Sequence, residues 1–334
     1  MSESNTTNFT NPSIFILLGI PGLEMAHVWI SIPFCTMYVI ALLGNFTVMF
    51  VIKKEPSLHV PMYYFLCMLS VTDLVLSTSI LPKMLSIFWF NSREIDFSAC
   101  FTQLFFFHCF LVIESGIFVA MALDRYVAIC HPLRHSTILR NPVVGKVCLA
   151  VLLRSSLVTL PMILLPYSAH MPVVGLACGD TRASSYYGLF VLFCVMCLDM
   201  VFIAVSYTHI LRAIFRIPTK DAQLKTFGTC SSHLCSILVF YIPGLFFSLT
   251  SRYNQNGPHH FHALINHMYS LMSPMFDPII YGMRTKQIRD RLLRLFIHKG
   301  ASLPIPSKKS LLPNLFPHGP TSFSTASLKS PPLF

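Results

Sequence analysis

Long apolar stretches alternate with short polar segments along most of this 334-residue chain. Each of the longest stretches holds about 20 or more residues, enough for a helix to cross the roughly 30 Å hydrocarbon layer of a membrane. They lie at Val28–Ile52, Pro61–Ile87, Phe101–Ile129, Val143–Pro166, Tyr187–Phe215, Phe227–Thr250 and Phe261–Met283. Barrel strands are shorter and alternate between apolar and polar residues, so runs of this kind leave the helix as the spanning element. The pattern predicts an all-α membrane protein, a seven-transmembrane helix bundle.

The composition favours one membrane domain over a water-soluble fold. Hydrophobic residues make up 54% of the chain and charged residues only 11%, too little polar surface to cover a soluble protein of this length. The predicted plan is a tail at 1–27, the helical domain at 28–284, a membrane-surface helix at 285–298 and a cytoplasmic tail at 299–334. The last segment is rich in Pro and Ser and cannot build a core, so we expect it to be disordered.

Basic residues fall mainly on one side of the predicted membrane. Of 24 Lys and Arg residues, 19 lie in one alternating set of segments, and the other set holds only Lys83, Arg93, Arg154, Arg182 and Arg252. The positive-inside rule then places the N-terminus outside the cell and the C-terminus in the cytoplasm. The net charge of +11 thus reflects membrane topology, and we expect contact with membrane lipids and no nucleic-acid partner.

Both tails carry features that agree with this orientation. Asn5 and Asn8 each begin a glycosylation sequon, which is modified only in a segment that enters the secretory lumen. After the last span, one face of a helix would carry the apolar side chains of Ile288, Leu292, Leu295 and Phe296. Basic residues occupy the rest of this segment, so we expect an amphipathic helix along the inner leaflet.

The chain carries no motif typical of catalysis. Most of its 11 Cys residues lie within apolar stretches, where they behave as small hydrophobic side chains. Cys100, at the outer end of the third span, and Cys178, in the outer loop before the fifth, share the oxidising side and are candidates for a disulfide. We find no metal-ligand spacing, phosphate-binding loop or nucleophile elbow, and therefore predict neither an enzyme nor an organic cofactor.

Several short motifs follow one another in a specific order. They are GN at Gly44–Asn45, PMYYFL at Pro61–Leu66, MALDRYVAICHPLRH at Met121–His135, KTFGTCSSHLC at Lys225–Cys235, FYIP at Phe240–Pro243 and DPIIYGMRTKQIRD at Asp277–Asp290. In this order they resemble the rhodopsin-like G-protein-coupled receptors and, within them, the odorant receptors. The early ILLGIPGLE segment, His108 with Glu114, the LACGDTR loop and Asp199 resemble the class I, fish-like branch. Two residues depart from the family pattern: Ser168 stands where a further cysteine is expected, and Asp277 replaces the usual Asn.

The resemblance implies a receptor that binds a small volatile odorant and activates a heterotrimeric G protein of the stimulatory olfactory type, which raises cAMP. The class I branch implies a carboxylic acid or another oxygenated aliphatic ligand. By the same resemblance, Asp124 restrains Arg125 at rest, and Arg125 later turns inward to meet the G protein. The family further implies switch roles for Tyr126, Tyr207, Tyr241, Pro243, Asp277, Pro278 and Tyr281.

Ionised side chains inside spans cost at least ~2.5 kcal/mol each on insertion scales, so they tend to face a polar interior. Asp73, Glu114 and Asp277 occupy mid-span positions, and we expect them to converge with Asn45. Neighbouring carboxylates repel one another unless a cation or protonation relieves them. Two interpretations stay open: a sodium ion that favours the inactive state, and a neutral hydrogen-bonded packing cluster.

Candidate ligand contacts lie in the outer halves of the spans. Arg252 ends the sixth span, where its guanidinium either offers parallel donors to a carboxylate or only reaches lipid headgroups. Ser248, one turn earlier, is a second candidate donor. Leu111 belongs to the apolar wall that we expect to select chain length, at about 0.8 kcal/mol per buried methylene. His108 is either a polar ligand contact or a structural histidine.

The sequence leaves three alternatives to an odorant receptor. One is a related receptor that senses metabolite acids outside the nose. Another is a secondary transporter, which would need a repeated half and broken helices at mid-membrane, and neither is visible. The third is a poorly exported, non-signalling product, which the short second outer loop suggests.

Overall fold

The computed structural model describes residues 14–17, 19–20, 22–168, 182–253, 259–285 and 288–291. Within them, seven long helices follow one another: α1 (His27–Lys54), α2 (Pro61–Phe90), α3 (Phe97–Cys130), α4 (Asn141–Ser168), α5 (Arg182–Phe215), α6 (Lys220–Tyr253) and α7 (His259–Arg284). A one-turn helix spans His135–Ile138, and 3₁₀ turns span Glu24–Ala26, Pro56–Leu58 and Pro132–Arg134. Two short strands, β1 (Ile14–Ile16) and β2 (Glu94–Asp96), pair antiparallel.

The helices are long enough to form a membrane bundle. Over the residues that are described, α1 to α6 are each long and apolar enough to cross a membrane. The 26 residues of α7 give about 39 Å at a rise of 1.5 Å per residue, which also suffices. The predicted all-helical, seven-transmembrane architecture is confirmed. Hereafter the outer end of the bundle is the end that carries β1 and β2, and the inner end is the opposite one.

Local sequence explains several helix boundaries. Pro61 occupies the first position of α2, where its missing N–H removes no hydrogen bond. The same helix ends at Asn91, which adopts a left-handed conformation with φ 53°. Asp96 caps α3 by accepting a hydrogen bond from the backbone N–H of Ser98 at 3.1 Å. The hydroxyl of Ser98 also donates to Asp96. This hydrogen bond, followed in effect by the one from the Ser98 backbone, holds the pKa of Asp96 below its ordinary value.

Most of the helices begin earlier than the apolar pattern indicates, and the difference is largest for the fifth and the sixth. The sixth starts at Lys220 instead of Phe227, and the fifth starts at Arg182 instead of Tyr187. Hydropathy locates only the lipid-embedded part of a helix, whereas backbone hydrogen bonding continues into water as long as the residues favour it. The inner end of α6 is therefore a polar helical extension of the membrane span.

Part of the N-terminal segment packs with the helices, although the sequence predicted a separate tail at residues 1–27. β1 lies against β2, and the N–H of Leu17 donates to the carbonyl of Arg93 at 2.8 Å. Ile20 has no exposed surface and packs in a cluster with Phe34, Leu81 and Leu271 from three helices. The sequons at Asn5 and Asn8, and residues 292–334, lie outside the described residues, so their predicted roles stay predictions.

The main core is formed mostly by α2, α3, α5 and α6, with smaller contributions from α1, α4 and α7, and includes Leu69, Phe118, Met121, Ile210 and Phe240. A further contact joins the first and last helices at Gly44. A Cβ atom at this position would lie 2.7 Å from Cγ of Pro278, so only glycine allows this approach of α1 to α7. Small residues commonly let membrane helices approach closely in this way.

Candidate functional site

Three buried carboxyl groups meet in the middle of the bundle. Asp73 on α2, Glu114 on α3 and Asp277 on α7 each offer an oxygen, and these atoms all lie within 4.8 Å of one another. Their residues are at most 1% exposed. Carboxylate oxygens suit hard cations, so these three residues could together hold one.

The hydrogen bonding around this carboxylate cluster is incomplete. Ser273 donates its one hydroxyl proton to Glu114 Oε1 and lies 3.2 Å from Asp277 Oδ2. Both oxygens of Asp73, one of Glu114 and one of Asp277 are buried without a hydrogen-bond partner among the described residues. Asn45 uses its amide to donate to the carbonyls of Ala41, at 3.0 Å, and Pro274, at 2.9 Å. It therefore ties α1 to α7 beside the cluster, and only its carbonyl oxygen is left for an ion or water.

A second polar group crosses the bundle next to the first. Arg154 on α4 donates to both oxygens of Asp199 on α5, from Nη1 at 2.6 Å and from Nη2 at 2.9 Å. Ser115 on α3 donates to Asp199 Oδ2 at 2.6 Å. Because Ser115 uses its proton on Asp199, the hydroxyl of Tyr241 on α6 donates to Ser115 across 2.7 Å. We call these four residues the four-helix network.

The absence of a side chain at Gly116 makes room for this network. A Cβ atom there would lie 2.8 Å from Val151 Cγ1 and 3.1 Å from Arg154 Nη2. α3 and α4 therefore approach closely enough for Arg154 to reach across to Asp199. Sequence reasoning did not pair these two residues, although opposite charges in neighbouring spans were a signal, since an intramembrane charge needs a partner.

The Asp-Arg-Tyr triplet lies at the inner end of α3. Asp124 is 1% exposed, and its Oδ2 lies 3.9 Å from Arg125 Nε, which is a loose ion pair and not a hydrogen bond. Its other oxygen, Oδ1, lies 3.2 Å from His135 Nε2. Tyr126 turns toward His131, with 3.4 Å between its hydroxyl and Nε2. The restraint on Arg125 that the resemblance implies is therefore weak in this geometry.

Two tyrosines that the resemblance assigns to the switch lie near this triplet. Tyr207 on α5 shares a 2.7 Å hydrogen bond with Nδ1 of His233 on α6, and both side chains are buried. Sequence reasoning missed His233, although a lone His in an apolar span signals a buried polar contact. Tyr281 on α7 is 2% exposed, and its hydroxyl has no hydrogen-bond partner among the described atoms.

Comparison with known proteins adds to this geometry. Residues 34–299 match the family model described as olfactory receptor. Olfactory receptor 52B2 of Homo sapiens is 47% identical over 310 residues, which cover 89% of this chain and 96% of that protein. Olfactory receptor 52R1, also of Homo sapiens, is 49% identical over 299 residues, covering 85% and 95%. Olfactory receptor 52D1 from the same organism is 46% identical over 315 residues, covering 90% and 99%.

This chain belongs to the olfactory receptor family. Olfactory receptors are G-protein-coupled receptors of the plasma membrane, which cross it several times, sense odorants and couple to G proteins. They are a signalling family and not an enzyme family, as the sequence predicted.

The predicted ligand contacts of this olfactory receptor are described only in part. His108 donates from Nδ1 to the carbonyl of Leu104 at 2.9 Å, which leaves Nε2 for another contact. Leu111 packs against the main core. Ser248 and Arg252 belong to the outer part of α6, but their side chains lie outside the described part of the receptor. Cys178 also lies outside it, so a disulfide with Cys100 stays a prediction.

Pro243 and Pro278, two residues of the predicted switch, lie inside long helices. Each interrupts the backbone hydrogen bonding of its helix, Pro243 within α6 and Pro278 within α7. Directly after Pro243, Gly244 lies against Tyr269, whose hydroxyl would be 2.8 Å from a Cβ atom at that glycine. Any rotation of α6 about its proline must therefore rearrange the contact between α6 and α7.

Proposed function

We propose that this olfactory receptor binds a small volatile carboxylic acid, or another oxygenated aliphatic compound, in the outer half of its bundle. It then activates a G protein of the stimulatory olfactory type and raises cAMP. Its N-terminus lies outside the cell and its C-terminus in the cytoplasm. Odorant sensing and G-protein coupling follow from the family, and the ligand class, the G-protein type and the orientation are proposed.

The hydrogen bond between Tyr241 and Ser115 is the observation that supports this mechanism best. It joins α6, the helix expected to swing, to the ion pair between the half-buried Arg154 and the buried Asp199. Ser248 and Arg252 follow Tyr241 by seven and eleven residues, which is close to two and three turns of an ideal helix. A ligand held at Arg252 would therefore act along the face of α6 that carries Tyr241, about 16 Å further in.

Arg252 supplies the preference for acids. A guanidinium forms two parallel hydrogen bonds to a carboxylate, and a charge-assisted bond contributes about 1.5–3 kcal/mol. An alcohol of the same chain length keeps the apolar contacts and loses most of this energy. The expected preference for acid over alcohol is then roughly ten- to a hundredfold in affinity.

The test compares straight-chain acids with matched alcohols in cells that report cAMP. Arg252→Ala should abolish the acid response while surface expression persists. Arg93→Ala is the matched control. The side chain of this outer arginine has one hydrogen bond among the residues described, to Asn91 at 2.7 Å, and its removal should leave the response unchanged. An undiminished acid response in Arg252→Ala would exclude this arginine as the partner of the ligand carboxylate.

We also propose that the carboxylate cluster binds a sodium ion in the resting receptor. The four unpartnered carboxylate oxygens and their close spacing support this over a neutral packing cluster. Sodium at ten times its Kd would stabilise the resting state by about 1.4 kcal/mol. Raised sodium should therefore increase the thermal unfolding midpoint of purified receptor relative to choline at equal ionic strength.

Glu114→Gln should remove this sodium dependence, because it takes away one charge and one ligand oxygen. Glu94→Gln changes an exposed acid of β2 and should keep the dependence. Equal midpoints of the wild type in sodium and choline would favour the neutral packing cluster instead.

A further inference from the structure

We propose that His135 is a positioning residue for G-protein coupling: its ring occupies the carboxylate of Asp124 and so keeps Arg125 only loosely restrained. The proposal goes beyond the family-level coupling on which it rests, because the resemblance gives a role to Asp124 and Arg125 but none to His135. It assigns a role to the second inner loop, the segment between α3 and α4.

The distances around Asp124 show which neighbour forms a hydrogen bond with its carboxylate. The His135 nitrogen lies 3.2 Å from Oδ1, within hydrogen-bond reach, whereas Arg125 Nε lies 3.9 Å from Oδ2. A carboxylate only accepts hydrogen bonds, so His135 donates from Nε2. Arg125 Nε is itself buried without a hydrogen-bond partner among the described residues. The direct hydrogen bond of Asp124 thus goes to the loop and not to Arg125.

The backbone of the loop carries His135 back onto α3. After α3 ends at Cys130, the carbonyl of His131 accepts the N–H of Arg134 at 3.0 Å and closes the 3₁₀ turn. His135 then begins the one-turn helix, with its side chain 27% exposed, against a carboxylate that is almost fully buried. The bond therefore joins a surface loop to the interior end of α3.

Loss of this bond changes which residue pairs with the carboxylate of Asp124. Without the His135 ring, Arg125 is the charged neighbour that remains to Asp124 in the part of the chain that is described. The buried carboxylate then draws the guanidinium closer, because an unpaired buried charge is costly. A tighter pair holds Arg125 from its inward turn and stabilises the resting state.

The test measures odorant-free nucleotide exchange by full-length receptor reconstituted with the stimulatory heterotrimer. His135→Ala should lower this exchange about fivefold or more, the lower end of common coupling factors. His135→Gln should restore it, because the Gln amide places a donor near the position of Nε2. Thr137→Ala is the matched control, since its hydroxyl bonds only within the same loop as described, to Arg134 at 2.8 Å, and should leave exchange unchanged.

A second comparison separates positioning from general support of the loop. In an Asp124→Ala background, His135→Ala should cause no further change, because the carboxylate it occupies is gone. A further loss of exchange in that background would overturn the proposal, as would exchange in His135→Ala equal to or above the wild type. Failure of the acid preference in the cAMP assay would concern Arg252 alone and leave this comparison unaffected.

Discussion

At the scale of single residues, two opposite charges within the spans of the receptor pair with each other. In the sequence, Arg154 is only one of the five basic residues outside the cytoplasmic set. Asp199 is only one of the residues that resemble the class I branch. The structure shows that the two form one bidentate ion pair, with Asp199 only 1% exposed. Each charge alone would be costly in lipid, so their roles are inseparable.

Asp199→Asn tests this pairing. The substitution keeps the volume of the side chain but leaves Arg154 without a counter-charge, so we expect a loss of about 3 kcal/mol of stability. The readout is the thermal unfolding midpoint of purified receptor. The double variant Arg154→Met with Asp199→Leu removes both charges and should recover most of the loss. A midpoint of Asp199→Asn equal to that of the wild type would show that the pair contributes no stability.

At the scale of helices, close packing depends on single glycines. The GN motif contributes to the family resemblance, but it does not predict which residue Gly44 contacts. The structure places this glycine against the ring of Pro278, a rigid group that cannot rotate away. Gly145 on α4 lies instead in open space, with nothing within 4 Å of a Cβ atom. The same residue type therefore carries different constraints on two helices.

These two glycines form a matched pair for mutation. Gly44→Ala should push α1 from α7 and cost about 1–3 kcal/mol, as overpacking does elsewhere. Gly145→Ala should be neutral or stabilise by up to about 1 kcal/mol, since alanine favours the helix. Thermal unfolding of both variants in one detergent gives the comparison. If Gly44→Ala unfolds at or above the temperature of Gly145→Ala, the close approach has no energetic importance.

At the scale of the whole molecule, the N-terminal segment packs against the outer end of the bundle. β1 pairs with β2, and Lys83 of α2 donates to the carbonyls of Ser92, at 3.0 Å, and Glu94, at 2.6 Å. Ile20 then enters the cluster formed by α1, α2 and α7. A segment that hydropathy assigns to a polar tail thus contributes to the folded receptor.

Ile20→Ala should therefore reduce the stability of the whole bundle by about 2–5 kcal/mol, the usual range for a fully buried aliphatic side chain. Ile14→Ala, at a strand residue that is 53% exposed, should change it little. Surface expression of tagged receptor and thermal unfolding of the purified protein both report the loss. Equal behaviour of the two variants would mean that the N-terminal segment is dispensable for folding.

The apolar pattern predicted the bundle because each span is a local property of about 20 successive residues. It also placed Asp73, Glu114 and Asp277 at comparable depths, and the structure brings them together. It also predicted Asn45 beside them, but not that its amide donates to backbone carbonyls on α1 and α7. The partners His135 and His233 were missed for the same reason: a contact between helices depends on their rotation, which no single segment encodes.

By itself, the sequence determined the number of spans, the membrane environment and the family, since hydropathy and ordered motifs are read along the chain. Only the tertiary structure decided which polar groups pair. Arg154 pairs with Asp199, and Asp124 forms its hydrogen bond with His135 and lies further from Arg125. The physical reason is distance. Electrostatic and hydrogen-bond energies change over a few tenths of an ångström, and such separations are settled only when the helices pack.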